Sequence, residues 1–308
     1  MDQTDRFTRH PLSGYLLVML AMLGFSSKAI LVKLAYGDDG QQIDAITLMA
    51  LRMLFSLPFF LTVALWRRKH ATGARNGKDW GMLVGLGLLG YYLSSLLDFK
   101  GLAYLPAGLE RLILFLYPTF VLLLNAYLEG RAVGRNQRLA LALSYFGLVL
   151  VYGEHPMAAG GDTLLGATLV LGSAISYAIY LVASSRIIPR FGSRRFTAWS
   201  MSVACLATLV HFLLSHPLAD LCVSVDVLLL ALAVALFATV LPAFLMNAGI
   251  QRIGADQTAL LSALGPVFTL WLAWLVLDET MTPIQLGGVI LMISGVAFMT
   301  RKTGAGRS

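Results

Sequence analysis

The sequence predicts an all-α membrane protein with ten transmembrane helices, and three observations lead to that prediction. Hydrophobic residues make up 58% of the 308 residues and charged residues only 13%, whereas ordinary globular chains carry roughly a quarter charged residues. Several stretches without Asp, Glu, Lys or Arg are as long as the ~20 residues that a helix needs to cross a bilayer. They lack the apolar and polar alternation of a membrane β-barrel, so we expect helices and no strands.

Five spans without charges lie in the second half of the chain, and five more with polar interruptions precede them. The predicted spans are Leu12–Ala35, Ala45–Trp66, Trp80–Leu97, Ala107–Leu128, Leu139–Tyr152, Thr163–Ser185, Phe196–Ala219, Val227–Gln251, Gln257–Leu277 and Thr280–Thr300. The first of them is longer than a signal-peptide core and no small-residue cleavage pattern follows it. We therefore expect it to remain as the first membrane helix.

The positions of the basic residues predict the orientation of the chain in the membrane. With the amino terminus inside, 18 of the 23 Lys and Arg residues fall on inner segments, and the outer loops carry mainly acidic residues. Both termini are therefore expected in the cytoplasm, which requires an even number of spans. The net charge of +7 then reflects membrane topology rather than binding to nucleic acid.

A shift of 148 positions superposes the later part of the chain on the earlier part. The matched pairs include Gly101 with Gly249, Ala107 with Ala255, Pro118 with Pro266, Gln137 with Gln285 and Gly147 with Gly295. Matching Gly, Pro and Gln in one register indicate an internal duplication. We predict a first five-helix repeat in 1–153, a second in 163–300 and a cytoplasmic tail in 301–308.

Because five is an odd number, the second repeat would enter the membrane from the opposite side. Such inverted repeats are typical of secondary transporters that alternate access around a site near the midplane. A duplicated membrane scaffold without transport is the alternative.

Two segments carry a resemblance to a known family. PAGLERLILFLYPTFVLLLNAYLEGR from Pro106 and GADQTALLSALGPVFTLWLAWLVLDET from Gly254 share a small-residue start, a mid-helix proline, an aliphatic run and an acidic end. Together with GFSSKAILVK in the first span and Arg52 in the second, they make the sequence similar to the EamA-type, ten-helix branch of the drug/metabolite transporter superfamily. The resemblance covers nearly the whole chain.

The resemblance implies a transporter of the inner (plasma) membrane, often an exporter of amino acids or related metabolites, with a cavity between the two halves. The small four-helix multidrug relatives use a first-helix glutamate for proton coupling, and the first span here has Lys28 and Lys33 instead. Efflux of drug-like organic cations is therefore kept only as an alternative function.

Ionisable residues inside the spans are the first candidates for a substrate site, because a charge at a helix centre costs about 2.5 to 3.5 kcal/mol on insertion scales. Lys28, Arg52, Glu110 and Arg111 belong to this group. Arg52 is the main candidate, since its planar fork can hold a carboxylate or phosphate by two parallel hydrogen bonds. The alternative is an internal ion pair, for instance with Glu110, that closes an outer gate or fixes helix packing.

Aromatic and amide side chains complete the predicted substrate site, although each could serve only in packing or at the membrane interface. These residues are Tyr91, Tyr177, Tyr180, Trp271 and Asn247. Pro118 and Pro266 remove backbone donors at matching positions and are predicted as symmetric hinges. Gly81 and Gly85 form a GxxxG that predicts close helix contact.

No motif indicates an enzyme. The chain has no GxxxxGK[ST] phosphate loop, HExxH metal pair or GxSxG elbow, and two cysteines cannot build a disulfide framework or a metal cluster. We therefore predict no catalytic residue, metal or cofactor, and as partners only a small-molecule substrate and the lipid bilayer, with a monomer or a homodimer both open. An intramembrane enzyme without transport is the remaining alternative class.

Overall fold

The computed structural model describes residues 11–36, 43, 45–66, 77–102, 104, 113–130, 132–152, 163–262, 264–277 and 282–303. Within those residues every regular element is a helix, which confirms the predicted helical fold. The α-helices are α1 Pro11–Tyr36, α2 Ala45–Leu65, α3 Gly77–Gly87, α4 Ser94–Leu102, α5 Tyr117–Glu129, α6 Arg135–Tyr152, α7 Thr163–Phe191, α8 Ser193–Ser215, α9 Val225–Ala235, α10 Leu241–Ser262, α11 Gly265–Leu277 and α12 Pro283–Thr303. A first π segment, Leu88–Leu93, joins α3 to α4; a second, Leu236–Val240, joins α9 to α10; and a 3-10 turn spans Leu218–Leu221.

Many of these helices are long and apolar enough to cross a membrane. Five such stretches occur in the described part of the chain: Ile46–Leu65, Gly77–Asp98, Thr163–Phe191, Ser193–Ser215 and Val225–Ser262. Shorter apolar helices cover Leu12–Lys28, Gly265–Val276 and Pro283–Gly295. The hydrophobic runs in the sequence therefore form helices where they were predicted.

Two predicted spans are broken in the structure. The span predicted at Gln257–Leu277 is divided, because α10 ends at Ser262 and α11 begins at Gly265. The described part of the fourth span likewise has a turn at 115–116 before α5. Pro118 and Pro266 each occupy the second position of the new helix rather than the middle of a long one. A missing N–H has no cost there, since first-turn N–H groups have no partner within the helix.

The helix starts recur at a fixed offset along the chain. The starts of α2 and α8, of α3 and α9, of the two π segments, and of α6 and α12 are each 148 residues apart. The starts of α1 and α7 are 152 residues apart. The four-residue difference arises because α1 and α2 are separated by a loop, whereas a single residue, Gly192, separates α7 from α8.

The pair formed by α6 and α12 packs reciprocally. A Cβ atom on Gly147, in the second half of α6, would lie 2.5 Å from the carbonyl oxygen of Gly288, in the first half of α12. A Cβ atom on Gly295, late in α12, would lie 2.9 Å from the carbonyl oxygen of Ala140, early in α6. The two helices therefore run antiparallel, and residues 148 positions apart make equivalent contacts, as at a two-fold axis.

The chain divides into two compact units. Unit 1 comprises the described residues within 1–92 and 183–254, and unit 2 comprises those within 93–182 and 255–308. Each unit thus draws helices from both the earlier and the later part of the sequence. Within unit 1, α2 packs along α8 and against α9, and α3 also packs on α8. Within unit 2, α6 packs along α12.

Glycines make close helix contacts, although not at the predicted motif. Gly81 and Gly85 are exposed, and a Cβ atom on either would meet no atom of the described residues within 4 Å. The close approaches occur instead at Gly249, where a Cβ atom would clash with Val18 in unit 1, and at Gly101, where it would lie 2.5 Å from Val170 in unit 2. The spacing of GxxxG shows that a helix could approach, but not which face meets a neighbour.

Candidate functional site

Arg52 lies buried in unit 1. It is the eighth residue of α2, and its side chain is only 6% exposed. Its Nε atom is buried without a hydrogen-bond partner among the residues that the structure describes. A buried guanidinium with an unused donor is energetically unfavourable unless something pairs with it, so the geometry favours an anionic group bound at this point.

Sulfur and aromatic side chains surround Arg52. Cys205 of α8 lies close enough to interact electrostatically with the guanidinium. The Cys205 thiol also contacts the Met53 sulfur at 3.6 Å, in a buried cluster on which Tyr91 packs. These neighbours supply apolar surface and no negative charge, and the structure records no ion pair for Arg52 with a described residue.

Tyr91 and Asn247, which the sequence singled out separately, come together in unit 1. The Nδ2 atom of Asn247 donates to the Tyr91 hydroxyl at 3.5 Å and to the carbonyl oxygen of Ala243 at 3.0 Å. Tyr91 belongs to the first π segment, and π turns occur frequently at functional sites because the extra residue shifts the direction of the side chains. We call Arg52, Tyr91 and Asn247, with the Met53 and Cys205 cluster, the Arg52 site.

The other charged candidates are not part of this description. Lys28 is half-buried in α1, also in unit 1, and takes no part in the contacts that define the Arg52 site. Glu110 and Arg111 lie outside the described residues. The alternative that Arg52 pairs with Glu110 therefore stays a hypothesis.

The remaining aromatic candidates lie in unit 2. Tyr177 packs edge-on against Tyr117 at 5.2 Å and stacks with Tyr180 at 5.9 Å. Tyr180 is completely buried and Tyr177 half-buried, whereas 44% of Trp271 is exposed. The two tyrosines thus belong to one aromatic cluster, and Trp271 lies at the surface of α11.

Polar contacts that the sequence did not indicate join the helices of unit 2. Asn125 Nδ2 donates to Asp256 Oδ1 at 2.5 Å, linking α5 to α10 directly after Gly254, whose φ of 77° interrupts α10. The Thr119 and Tyr145 hydroxyls share a short hydrogen bond between α5 and α6. A neutral side chain within an apolar run gives no sign of its distant partner. The one available signal was that Thr119 follows a repeated proline.

The described residues offer little for a metal or a nucleophilic enzyme. Among them, no three His, Cys, Asp or Glu side chains come close enough to hold a metal ion. The features that they do combine are long apolar helices, repeated helix breaks and a buried cation. Together these define a multi-pass membrane protein with a polar binding site inside its helices.

Comparison with known proteins identifies the family. The sequence profile of the EamA-like transporter family matches residues 12–153 and again residues 164–301. The chain therefore belongs to the EamA-like transporter family, as the sequence resemblance predicted. The two matched segments begin 152 residues apart and end 148 apart, as the helix starts do.

The relatives agree with this assignment. The chain is 32% identical over 306 residues to the uncharacterized transporter YcbK of Bacillus subtilis, covering 96% of each chain. It is 30% identical over 237 residues to a "probable amino-acid metabolite efflux pump" of Salmonella typhimurium, covering 70% of this chain and 78% of that one. A solved crystal structure is similar in fold, with a TM-score of 0.80 and 18% identity over 96% of this chain and 99% of that one.

Proposed function

We propose that the protein is a secondary transporter of the inner membrane that exports small metabolites such as amino acids by alternating access. Membership of a transporter family supports the class, and the efflux pump of Salmonella typhimurium supports the kind of substrate. In this proposal Arg52 binds the carboxylate of the transported solute.

The observation that carries the substrate proposal is the burial of Arg52 with an unpartnered Nε. In a duplicated sequence the position equivalent to Arg52 is Ser200, which is also buried, so helix packing here does not require a cation. A fixed positive charge attracts carboxylates and repels organic cations, and the apolar neighbours weaken the competing screening by water. This favours amino acids and organic acids over cationic drugs.

The reciprocal contacts of α6 and α12 support alternating access. Antiparallel helices at equivalent positions are what two inverted five-helix repeats would produce, with boundaries near 1–153 and 163–300. We accordingly propose ten membrane helices with both termini and the tail 301–308 in the cytoplasm. Pro118 and Pro266, at equivalent helix breaks, are the proposed hinges.

Uptake into inside-out membrane vesicles tests the substrate proposal. The probe is a mixture of radiolabelled protein amino acids, with analysis of the vesicle contents for chemical change. We expect accumulation of unmodified amino acid that is lost in Arg52→Ala and weakened in Arg52→Lys, which keeps the charge but not the planar fork. Arg252→Ala is the control, because Arg252 is an exposed arginine of unit 1 that bonds only its own helix at Ala248.

The alternatives have distinct outcomes in the same assay. Unchanged apparent affinity and rate in both Arg52 variants would exclude a direct role for that residue. Chemical conversion without net movement of solute would favour an intramembrane enzyme, and uptake of organic cations alone would favour drug efflux. Tags at the two chain ends would test the topology, since tags on opposite sides of the membrane contradict two odd-numbered repeats.

A further inference from the structure

We propose that a cluster of basic side chains at one end of unit 1 binds the head group of an anionic phospholipid. The cluster, called here the arginine cluster, consists of Lys78, Arg186, Arg190, Arg194 and Arg195. None of these residues belongs to the Arg52 site, and the proposal does not depend on which solute is transported.

Three helix ends meet at the arginine cluster. Arg190 Nη1, near the end of α7, donates to Asp79 Oδ1, near the start of α3, at 2.6 Å. The Trp80 ring packs edge-on against Phe191 at 5.3 Å and against Trp199 of α8 at 5.5 Å. The start of α3, the end of α7 and the first turns of α8 are therefore held side by side, with aromatic rings between them.

The cluster has unused positive charge. Its one described carboxylate, Asp79, is bonded to Arg190 and is only 10% exposed, so it neutralises one of the five cations. The structure records no hydrogen bond or ion pair from the side chains of Arg186, Arg194 or Arg195 to the residues that it describes. Arg186 and Arg194 are exposed, and the Nε atom of Arg195 is buried without a described partner.

This arrangement fits a phospholipid head group better than it fits packing alone. Basic pockets between membrane helices bind anionic head groups, tryptophan prefers the interfacial depth, and the arginine fork holds a phosphate by two hydrogen bonds. A general bias of basic residues to one side of the membrane explains the sign of these charges. It does not explain why they converge beside three aromatic rings.

The internal duplication offers a comparison within the same chain. The position equivalent to Lys78, 148 residues on, is Asp226, and the position equivalent to Arg190, 152 residues back, is Asp38. Acidic residues thus occur where the other copy has basic ones. The helices of this scaffold therefore do not require basic residues at these positions in order to pack.

Native mass spectrometry of the full-length protein in detergent tests the proposal. The probes are phosphatidylglycerol and phosphatidylcholine with matched acyl chains, added at equal concentration. We expect the protein to retain phosphatidylglycerol preferentially, and we expect Arg194→Gln/Arg195→Gln to weaken that retention by roughly fivefold for each arginine removed. The matched control is Arg135→Gln/Arg138→Gln, an exposed arginine pair in the first turn of α6 in unit 2.

A second variant protects the test against misfolding. Arg186→Gln changes one exposed side chain of α7 and is expected to weaken phosphatidylglycerol retention as well. Equal retention of phosphatidylglycerol by both cluster variants and by the control would overturn the proposal. So would complete displacement of the lipid by inorganic phosphate at equal concentration, because the site would then recognise a soluble anion. Neither readout involves transport, so failure here leaves the proposed function untouched.

Discussion

Tyr117 and Ser262 share a side-chain hydrogen bond that joins the first residue of α5 to the last residue of α10. Tyr117 directly precedes Pro118, and Ser262 lies four residues before Pro266. The bond therefore connects the two helix breaks within unit 2, where the repeated prolines interrupt the apolar runs. A contact at this place can control how far the two breaks separate.

Replacing Tyr117 with phenylalanine should loosen this connection. We expect Tyr117→Phe to lower the free energy of unfolding by about 1 kcal/mol, the usual size of an interhelical hydrogen bond in a membrane protein. Thermal unfolding in detergent measures the effect. Tyr127→Phe is the control, because Tyr127 is on the same helix and 85% exposed. Equal stability of the two variants would show that the bond contributes nothing.

The reciprocal crossing of α6 and α12 predicts which glycines cannot be enlarged. In Gly147→Ala the new methyl group would lie 2.5 Å from a backbone oxygen, so the two helices must move apart. We expect a loss of about 1 to 3 kcal/mol in unfolding free energy, as for other overpacked sites.

Gly287→Ala is the control for this crossing. A Cβ atom at Gly287 in α12 meets no atom within 4 Å of it in the described part of the chain. Alanine there should leave stability unchanged or raise it by up to about 1 kcal/mol, because alanine favours helix more than glycine does. A destabilisation of the same size in both variants would contradict the crossing geometry.

Tyr91 and Asn247 should behave as a coupled pair. Their separation of 3.5 Å is long for a hydrogen bond, so we expect a coupling free energy of only about 0.5 kcal/mol in a double-mutant cycle. The cycle compares Tyr91→Phe, Asn247→Ala and the double variant by unfolding in detergent. Strict additivity of the two single changes would place the residues apart.

The contact between Asp79 and Arg190 predicts an unequal effect of its two partners. Arg190 is 62% exposed and loses little when removed, but Asp79 is nearly buried and would be left as an unpaired carboxylate. We expect Arg190→Gln to cost about 1 to 3 kcal/mol and Asp79→Asn/Arg190→Gln to recover part of that loss. Unfolding measurements on the two variants check this. A double variant less stable than Arg190→Gln would contradict it.

Hydrophobic patterning predicted most of the helices, because lipid and buried protein both select apolar side chains. The start of α7 at Thr163 and the end of α11 at Leu277 lie where the charge-free runs start and stop. The breaks before Pro118 and Pro266 were not predictable in this way, since the residues that surround them are as apolar as those in continuous helices. The π segments also leave no mark in the hydropathy.

The candidate site could be predicted only where a residue contrasts with its surroundings. Arg52 was evident as a cation in an apolar run, and the structure places it in a buried position. Trp271 was not distinguishable as a surface residue, because lipid-facing and pocket-lining aromatics look the same in sequence. The contact of Asn125 with Asp256 joins residues 131 positions apart and depends on packing that the sequence does not display.

Counterflow in proteoliposomes tests most directly whether the protein is a carrier. The vesicles are loaded with unlabelled amino acids and diluted into a trace of the same amino acids carrying a radiolabel. An alternating site exchanges one solute for the other, so we predict a transient accumulation of label above its equilibrium level, which Arg52→Ala abolishes and Arg252→Ala retains. Label that only rises to equilibrium, equally in vesicles with and without the protein, would contradict transport through an alternating site.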